Sequence, residues 1–368
     1  MIYLDYGATS FHKPPQVYQA VQQAFRTCAN PGRGGYSAAM EAQKRIFECR
    51  QEAAKLFSCN TEQVVFTSNC TNGLNIAIRS IVKTGNNVVV SGFEHNAVTR
   101  PLHGIGANIR VAGRKLFDWE DTLNRFEDGL KGADAAIFTH VSNVFGYILP
   151  VEEMARLCRD RGIPFIVDAA QSAGSLPVSM RALGADFIAM PGHKGLLGPQ
   201  GTGILLCKDQ VQPLLYGGTG SESVRQDMPD FLPDRLEAGT VNVPGIAGLC
   251  EGLKYLRRAG IDRIHKKELQ QARRCAASLR KMGFQVFAGE HQSATVSFVP
   301  PMDCEEAAQK LAQMGIAVRA GLHCAPLAHE SAGTLQSGTV RVSFGFDAEN
   351  WHTDRFVQAA AKLKPNVM

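Results

Sequence analysis

Apolar positions change their period along this chain, and each change marks an element. Val17, Val21, Ala24 and Phe25, then Ala42, Ile46, Cys49, Ala53, Leu56 and Phe57, recur at helical spacing and predict helices over 13–27 and 37–57. Between them Asn30-Pro31-Gly32-Arg33-Gly34-Gly35 reads as a loop. Gln63-Val64-Val65-Phe66-Thr67 has strand character, and Ser68–Gly73 forms a polar turn into an apolar helix over 74–83. Short apolar runs follow at Asn87–Ser91, Asn108–Ala112, Ala135–Thr139, Pro164–Val167, Asp186–Met190 and Gly203–Cys207, with helical pattern at Val151–Arg161 and a short segment at Arg181–Gly184. Strands alternating with helices predict an α/β fold, a mainly parallel sheet covered on both faces.

After about residue 245 the rhythm changes. A helix-like stretch over 245–282 leads to strand-like runs at 285–287 and 294–298, a helix at 303–314, strand-like runs at 316–319 and 340–344, and a last helix at 350–363. The expected organisation is a large domain over 15–245 and a smaller α+β domain over 246–368, which residues 1–14 join. No internal repeat or low-complexity tract interrupts this order.

Composition narrows the class. Hydrophobic residues make up 45% and charged residues 20% of the 368, as in ordinary globular proteins. A net charge of +5, with Lys and Arg scattered, gives no basic patch for nucleic acid. No apolar run approaches the roughly 20 residues that span a bilayer, and Ile2-Tyr3-Leu4 does not read as a secretory leader. The ten cysteines show neither CxxC pairing nor metal-ligand spacing with histidine, so the expectation is reduced thiols, no metal and a cytoplasmic location.

The candidate chemistry gathers at strand ends. Asp186–Met190 runs through Pro191-Gly192-His193 into Lys194, and a glycine-rich bend, Gly195 to Gly203, follows at once. A lysine placed so can lose its charge by desolvation and attack a carbonyl. Upstream, Pro164–Val167 ends on Asp168, and Ala169, Ala170 and Gln171 follow. Pyridoxal phosphate enzymes pair such a lysine with an acid for the pyridinium nitrogen. His95 and Asn143 also follow apolar runs, so one pocket at the carboxyl ends of the strands can collect all four. The turn at 68–73 offers free N–H groups to an anion or is a simple helix cap.

Val167-Asp168-Ala169-Ala170-Gln171 and Gly192-His193-Lys194-Gly195 resemble the class V aminotransferase family of fold-type I pyridoxal phosphate enzymes, and within it the cysteine desulfurases and selenocysteine lyases. The resemblance runs from Tyr3-Leu4-Asp5-Tyr6-Gly7-Ala8-Thr9-Ser10 to Arg341-Val342-Ser343. It implies that Lys194 holds the cofactor, that Asp168 keeps its ring cationic, that His95 stacks on the ring and moves protons, and that Gln171 bonds the phenolic oxygen. It further implies phosphate contacts from Thr71 and His193, and Asn143 and Arg341 near the substrate carboxylate. Cys70 stands where relatives often carry threonine, and Pro191 replaces a hydroxyl residue, which shifts the phosphate onto other donors.

Arg319-Ala320-Gly321-Leu322-His323-Cys324-Ala325-Pro326 resembles the Arg-x-Gly-His-His-Cys-Ala segment of desulfurases, with Leu322 replacing one histidine. By that likeness Cys324 is the nucleophile, Arg319 and His323 favour its thiolate, and a mobile loop carries sulfur out. Glu237-Ala238-Gly239-Thr240-Val241-Asn242 resembles a segment that reaches the partner subunit, with Thr240 on the partner's phosphate. The implied protein is a homodimeric cysteine desulfurase with shared active sites, turning L-cysteine into L-alanine and handing a persulfide to an acceptor protein. Selenocysteine lyase, a class V aminotransferase or lyase for another small amino acid, and a catalytically silent binding partner are the alternatives.

Overall fold

The computed structural model describes residues 1–32, 34–208 and 211–364; Arg33 of the predicted 30–35 loop lies outside the described residues. Strand β1 (Ile2–Tyr3) precedes helices α1 (Pro15–Thr27) and α2 (Ser37–Phe57). Then come β2 (Val64–Thr67), α3 (Cys70–Ile81), β3 (Asn87–Ser91), α4 (Asn96–Ile105), β4 (Asn108–Ala112), α5 (Trp119–Gly129) and β5 (Ala135–Thr139). Next are α6 (Val151–Arg161), β6 (Phe165–Asp168), α7 (Met180–Leu183), β7 (Phe187–Pro191) and β8 (Gly203–Cys207). The remainder is α8 (Val243–Ala259), α9 (Ile261–Lys281), β9 (Gln285–Phe287), β10 (Thr295–Val299), α10 (Cys304–Gln313), β11 (Ile316–Ala317), β12 (Arg319–Gly321), α11 (Pro326–Ala332), β13 (Thr339–Ser343) and α12 (Asn350–Ala361).

Seven strands form the central sheet in the order β2-β8-β7-β6-β5-β3-β4. The contacts from β7 through β6, β5 and β3 to β4 are parallel, and β8 and β2 add two antiparallel steps at one edge. Successive residues of each inner strand fall alternately into two hydrophobic cores. Phe138, Val167, Ile188 and Leu206 face one, with α6 and α8; Ile137, Ile166, Phe187 and Leu205 face the other, with α3 and α4. Such strands have no polar face, which is why the sequence showed continuous apolar runs there.

A third, smaller core lies against a four-stranded antiparallel sheet, β12-β13-β10-β9, with α9, α10 and α12. β1 pairs in parallel with β11, so Ile2 and Leu4 are buried in that smaller core. Helix α8 buries Ile246, Leu249, Leu253 and Leu256 in the large core, and Ile264 of α9 still faces it, whereas Ala272, Cys275 and Leu279 face the small one. We therefore propose that the domain boundary falls within α9 rather than at 245, because burial passes from one core to the other there.

Several elements differ from the sequence pattern. The stretch 245–282 is two helices, broken at Gly260 with φ +81°, a conformation that only glycine adopts without strain. Helix α3 begins at Cys70 because Asn69 caps it, its side chain accepting from Asn72 N–H at 2.9 Å. Helices α4 and α5 were invisible in the pattern. The first contains Pro101, and the second buries only Thr122 and Phe126, too few for a periodic signal.

Candidate active site

Parallel strands end on one edge, and that edge holds the chemistry. His95, Asn143, Asp168 and Lys194 line one pocket with Cys70, Thr71, Gln171, Pro191 and His193. Lys194 leaves β7 through Gly192 and His193 and is held by the bend behind it. A side chain on Gly195 would overlap the Ala173 carbonyl oxygen, and one on Gly174 would overlap the Gly195 carbonyl oxygen. The loops after Asp168 and around Lys194 thus touch backbone to backbone, which fixes the acid relative to the amine. Burial pushes the Lys194 amine below the ordinary lysine range, with Arg341 and Arg319 adding repulsion against the attraction of Cys70 and Asp168.

Asp168 is buried, and burial pushes its carboxyl up. Its Oδ1 accepts from Ala170 N–H at 2.9 Å and from the Cys70 thiol at 3.5 Å, while Oδ2 takes no hydrogen bond among the described residues. A cationic ring nitrogen would supply both the missing partner and the missing charge. His95 caps α4, its Nδ1 accepting from Ala97 N–H at 3.0 Å, so Nε2 carries the ring proton. Burial pushes it down to about 4, leaving a neutral ring at the pocket wall. Gln171 commits one N–H to the Gly7 carbonyl at 2.9 Å and keeps the other. At the far end, the first N–H groups of α3, at Cys70 and Thr71, point outward from a helix N-terminus that suits a phosphate. This donor set fits pyridoxal phosphate.

The N-terminal segment is the part that the sequence reading left without a role. His193 Nδ1 meets Thr9 Oγ1 at 3.0 Å, and its carbonyl accepts from Ser10 N–H at 2.9 Å. Burial holds the His193 ring down at about 4. Asp5 pairs with Arg341 Nη2 at 2.7 Å. Only the position of Tyr3–Ser10 in the resemblance signalled these contacts.

Arg341 lies fully buried on β13. Nη1 donates to the Asn143 carbonyl at 2.9 Å, and Nε is buried with no partner. Among the described residues three of its five N–H donors thus have no partner, enough for a two-point carboxylate contact. Arg319, on neighbouring β12, pairs in register with Arg341 and adds positive charge beside His95 and Lys194.

Of the ten cysteines, Cys324 is the exposed one. It sits in a tight turn between β12 and α11, closed by Ala325 N–H to the Leu322 carbonyl at 2.9 Å. Both central residues are left-handed, His323 at φ +50° and Cys324 at φ +57°, which costs about 1–2 kcal/mol each for side chains with a Cβ. The turn is pinned: Asn143 Nδ2 donates to the His323 carbonyl at 2.7 Å, and Asn96 N–H donates to the Cys324 carbonyl at 2.8 Å. The segment from Gly321 to Gly333, expected from the sequence as a mobile loop, thus holds a short hydrogen-bonded turn and helix α11. His323 does not face the thiol as a base either. Its ring is buried with Nε2 at 3.2 Å from the Thr339 carbonyl and hydroxyl, and burial pushes it down to about 2.

Thr240 is not in this pocket. It is exposed, 3.5 Å from Asn30 Oδ1, on a segment fixed at both ends. Glu237 binds Arg50 through two contacts of 2.9 Å, and Asn242 caps α8.

The aminotransferase class-V family model matches residues 2–356. Probable cysteine desulfurases of Methanothermobacter thermautotrophicus and Pyrococcus abyssi are 35% and 32% identical, over 91% and 94% of this chain and 89% of each relative. The apo structure of a cysteine desulfurase from Thermococcus onnurineus NA1 superposes with a TM-score of 0.89 at 31% identity, covering 98% of this chain and 94% of that one. An Escherichia coli cysteine desulfurase, in an S-sulfonic acid form, superposes with a TM-score of 0.87 at 27% identity and the same coverage.

Proposed function

The chain belongs to the aminotransferase class-V family, and from that membership we propose that it is a pyridoxal phosphate-dependent cysteine desulfurase converting L-cysteine to L-alanine. The observation that carries this reading is the exposed thiol of Cys324, on a turn tied to Asn143 and to the helix that His95 caps. A transaminase has no use for a nucleophile there.

When bound, pyridoxal phosphate supplies a carbonyl for amines and a protonated ring that takes up electrons from the α-carbon. Lys194, whose amine burial shifts toward the neutral form, would hold the cofactor and later move the α-proton. Asp168 would face the ring nitrogen and keep it protonated, since its Oδ2 has no partner among the described residues. Arg341 receives the substrate carboxylate on its open donors. The Cys324 thiolate attacks the substrate sulfur. The carbon–sulfur bond breaks, its electron pair stays with the carbon side, and a proton completes alanine while the persulfide remains on Cys324.

The persulfide then passes to an acceptor thiol, which we take to be that of a partner protein. We also propose a homodimer in which Thr240 serves the neighbouring pocket, supported by its exposure and its distance from its own pocket. Ten free thiols suit a reducing compartment, the cytoplasm. No helix among the described residues is long and apolar enough to cross a membrane.

The test is product analysis on protein loaded with pyridoxal phosphate, given L-cysteine and a reducing thiol. Alanine and sulfide should appear in equal amounts. A keto acid instead would mean transamination, and turnover confined to L-selenocysteine would mean a lyase.

A further inference from the structure

We propose that Asn143 is a positioning residue, whose side-chain amide holds the Cys324 turn in its left-handed form and links that turn to the substrate-carboxylate arginine. The proposal rests on the desulfurase reading of the same site. The sequence placed Asn143 beside the substrate carboxylate. In the structure one N–H of its Nδ2 is committed to the turn, donating to the His323 carbonyl at 2.7 Å, and the residue is buried. Its own backbone carbonyl accepts from Arg341 Nη1 at 2.9 Å. One residue therefore joins the cation of the substrate site to the backbone that presents the nucleophile.

That link has a task, because the turn is unfavourable without it. His323 and Cys324 are consecutive residues at positive φ, and neither is glycine or asparagine. Such a conformation persists where surrounding contacts over-determine it. Three contacts do so here: the Asn143 amide on the His323 carbonyl, Asn96 N–H on the Cys324 carbonyl, and the buried His323 ring against Thr339. Asn96 contributes backbone, and His323 is part of the strained pair itself. Of the two side chains outside the turn that hold it, the Thr339 hydroxyl and the Asn143 amide, the Asn143 amide belongs to the residue that also meets Arg341.

The two roles for Asn143 separate kinetically. A group that only binds substrate carboxylate changes KM, whereas a group that places the nucleophile changes the chemical step. In the pyridoxal phosphate-loaded enzyme, Asn143→Ala should lower kcat for L-cysteine about 10- to 100-fold, as misplacing a reacting group by about an ångström does. KM should move by less than about threefold. In a single turnover, sulfur should arrive on Cys324 more slowly by the same factor, read by mass spectrometry. Hydrogen exchange at the Ala325 and Asn96 amides should speed up without substrate present, a change that a substrate ligand would not cause. Should the alanine variant lose its cofactor, the isosteric Asn143→Asp decides, since it fills the same space but sets an oxygen against the His323 carbonyl. A raised KM at unchanged kcat, or unchanged exchange at both amides, overturns the proposal. A wild-type enzyme that makes neither alanine nor sulfide overturns the underlying desulfurase reading instead.

Discussion

The proposed nucleophile Cys324 and the proposed cofactor lysine Lys194 have opposite surroundings. Lys194 is buried, and desolvation lowers its amine from the ordinary lysine range, which suits the proposed roles of cofactor amine and proton carrier. Lys194→Ala should lower turnover about 10²- to 10⁴-fold, and after borohydride treatment the peptide around residue 194 should carry no cofactor mass. Retention of that mass elsewhere at full occupancy would assign the role to another amine. Cys324 is exposed, on a left-handed turn tied to Asn143 and Asn96. Cys324→Ser should keep the cofactor's visible absorbance and bind L-cysteine, yet release no sulfide, because a serine hydroxyl stays protonated near neutral pH. Added sulfur on any of the other nine cysteines after one turnover would count against Cys324. His323 shows the limit of a motif. Its neighbour is the proposed nucleophile, but its own ring is turned into the core.

Between elements, the decisive contact is backbone on backbone. The loops leaving β6 and β7 meet where Gly174 and Gly195 leave no room for a Cβ, so the acid and the amine are set by strand ends and not by flexible side chains. Gly195→Ala would press its methyl into the Ala173 carbonyl and displace Lys194. Turnover should drop at least about 100-fold, as a shift of about an ångström at a catalytic group costs. Far-ultraviolet circular dichroism should remain that of the wild type. Near-normal activity in that variant would show that the loops can part without moving the lysine.

For the whole molecule, buried titratable groups set a stability window. His95, His140, His193 and His329 are held at about 4 and His323 at about 2, against 6.5 when unfolded, mainly by burial. Below pH 6.5 the unfolded chain binds more protons at these sites, so stability falls as pH drops toward 4. Burial lifts Glu94 and Glu268 to about 8 from 4.5, which favours the folded state's protonated carboxyls. That contribution is complete below 4.5 and is lost as pH rises through 8. Five histidines outweigh two carboxyls below pH 6.5, and above 6.5 the carboxyls dominate until Lys13, which burial lowers to about 8, begins to lose its proton. Calorimetry of cofactor-free protein should therefore find the highest Tm near pH 6.5, and a Tm that climbs steadily to pH 8 would contradict it. The shared-site dimer is tested at the same scale. Light scattering should give twice the chain mass, and hybrids of inactive Lys194→Ala with a Thr240→Glu variant should regain activity that neither parent has.

The sequence by itself determined the sheet and the pocket's principal residues. Alternate residues of a two-sided strand are all apolar, so the runs ending at Asp168 and leading to Lys194 could be read directly, and parallel strands must bring those ends together. Local signals also carried most of the second half, apart from the helix break that Gly260 imposes. Helices α4 and α5 stayed hidden because one contains a proline and the other buries only two side chains. The tertiary structure alone decided how groups distant in the chain meet: Asp5 on Arg341, Thr9 on His193, and Asn143 under the carbonyl of His323. It also decided the conformation of Cys324. Left-handed backbone at a histidine and a cysteine runs against local preference, so no local pattern encodes it, and it exists only because contacts from elsewhere in the chain hold it.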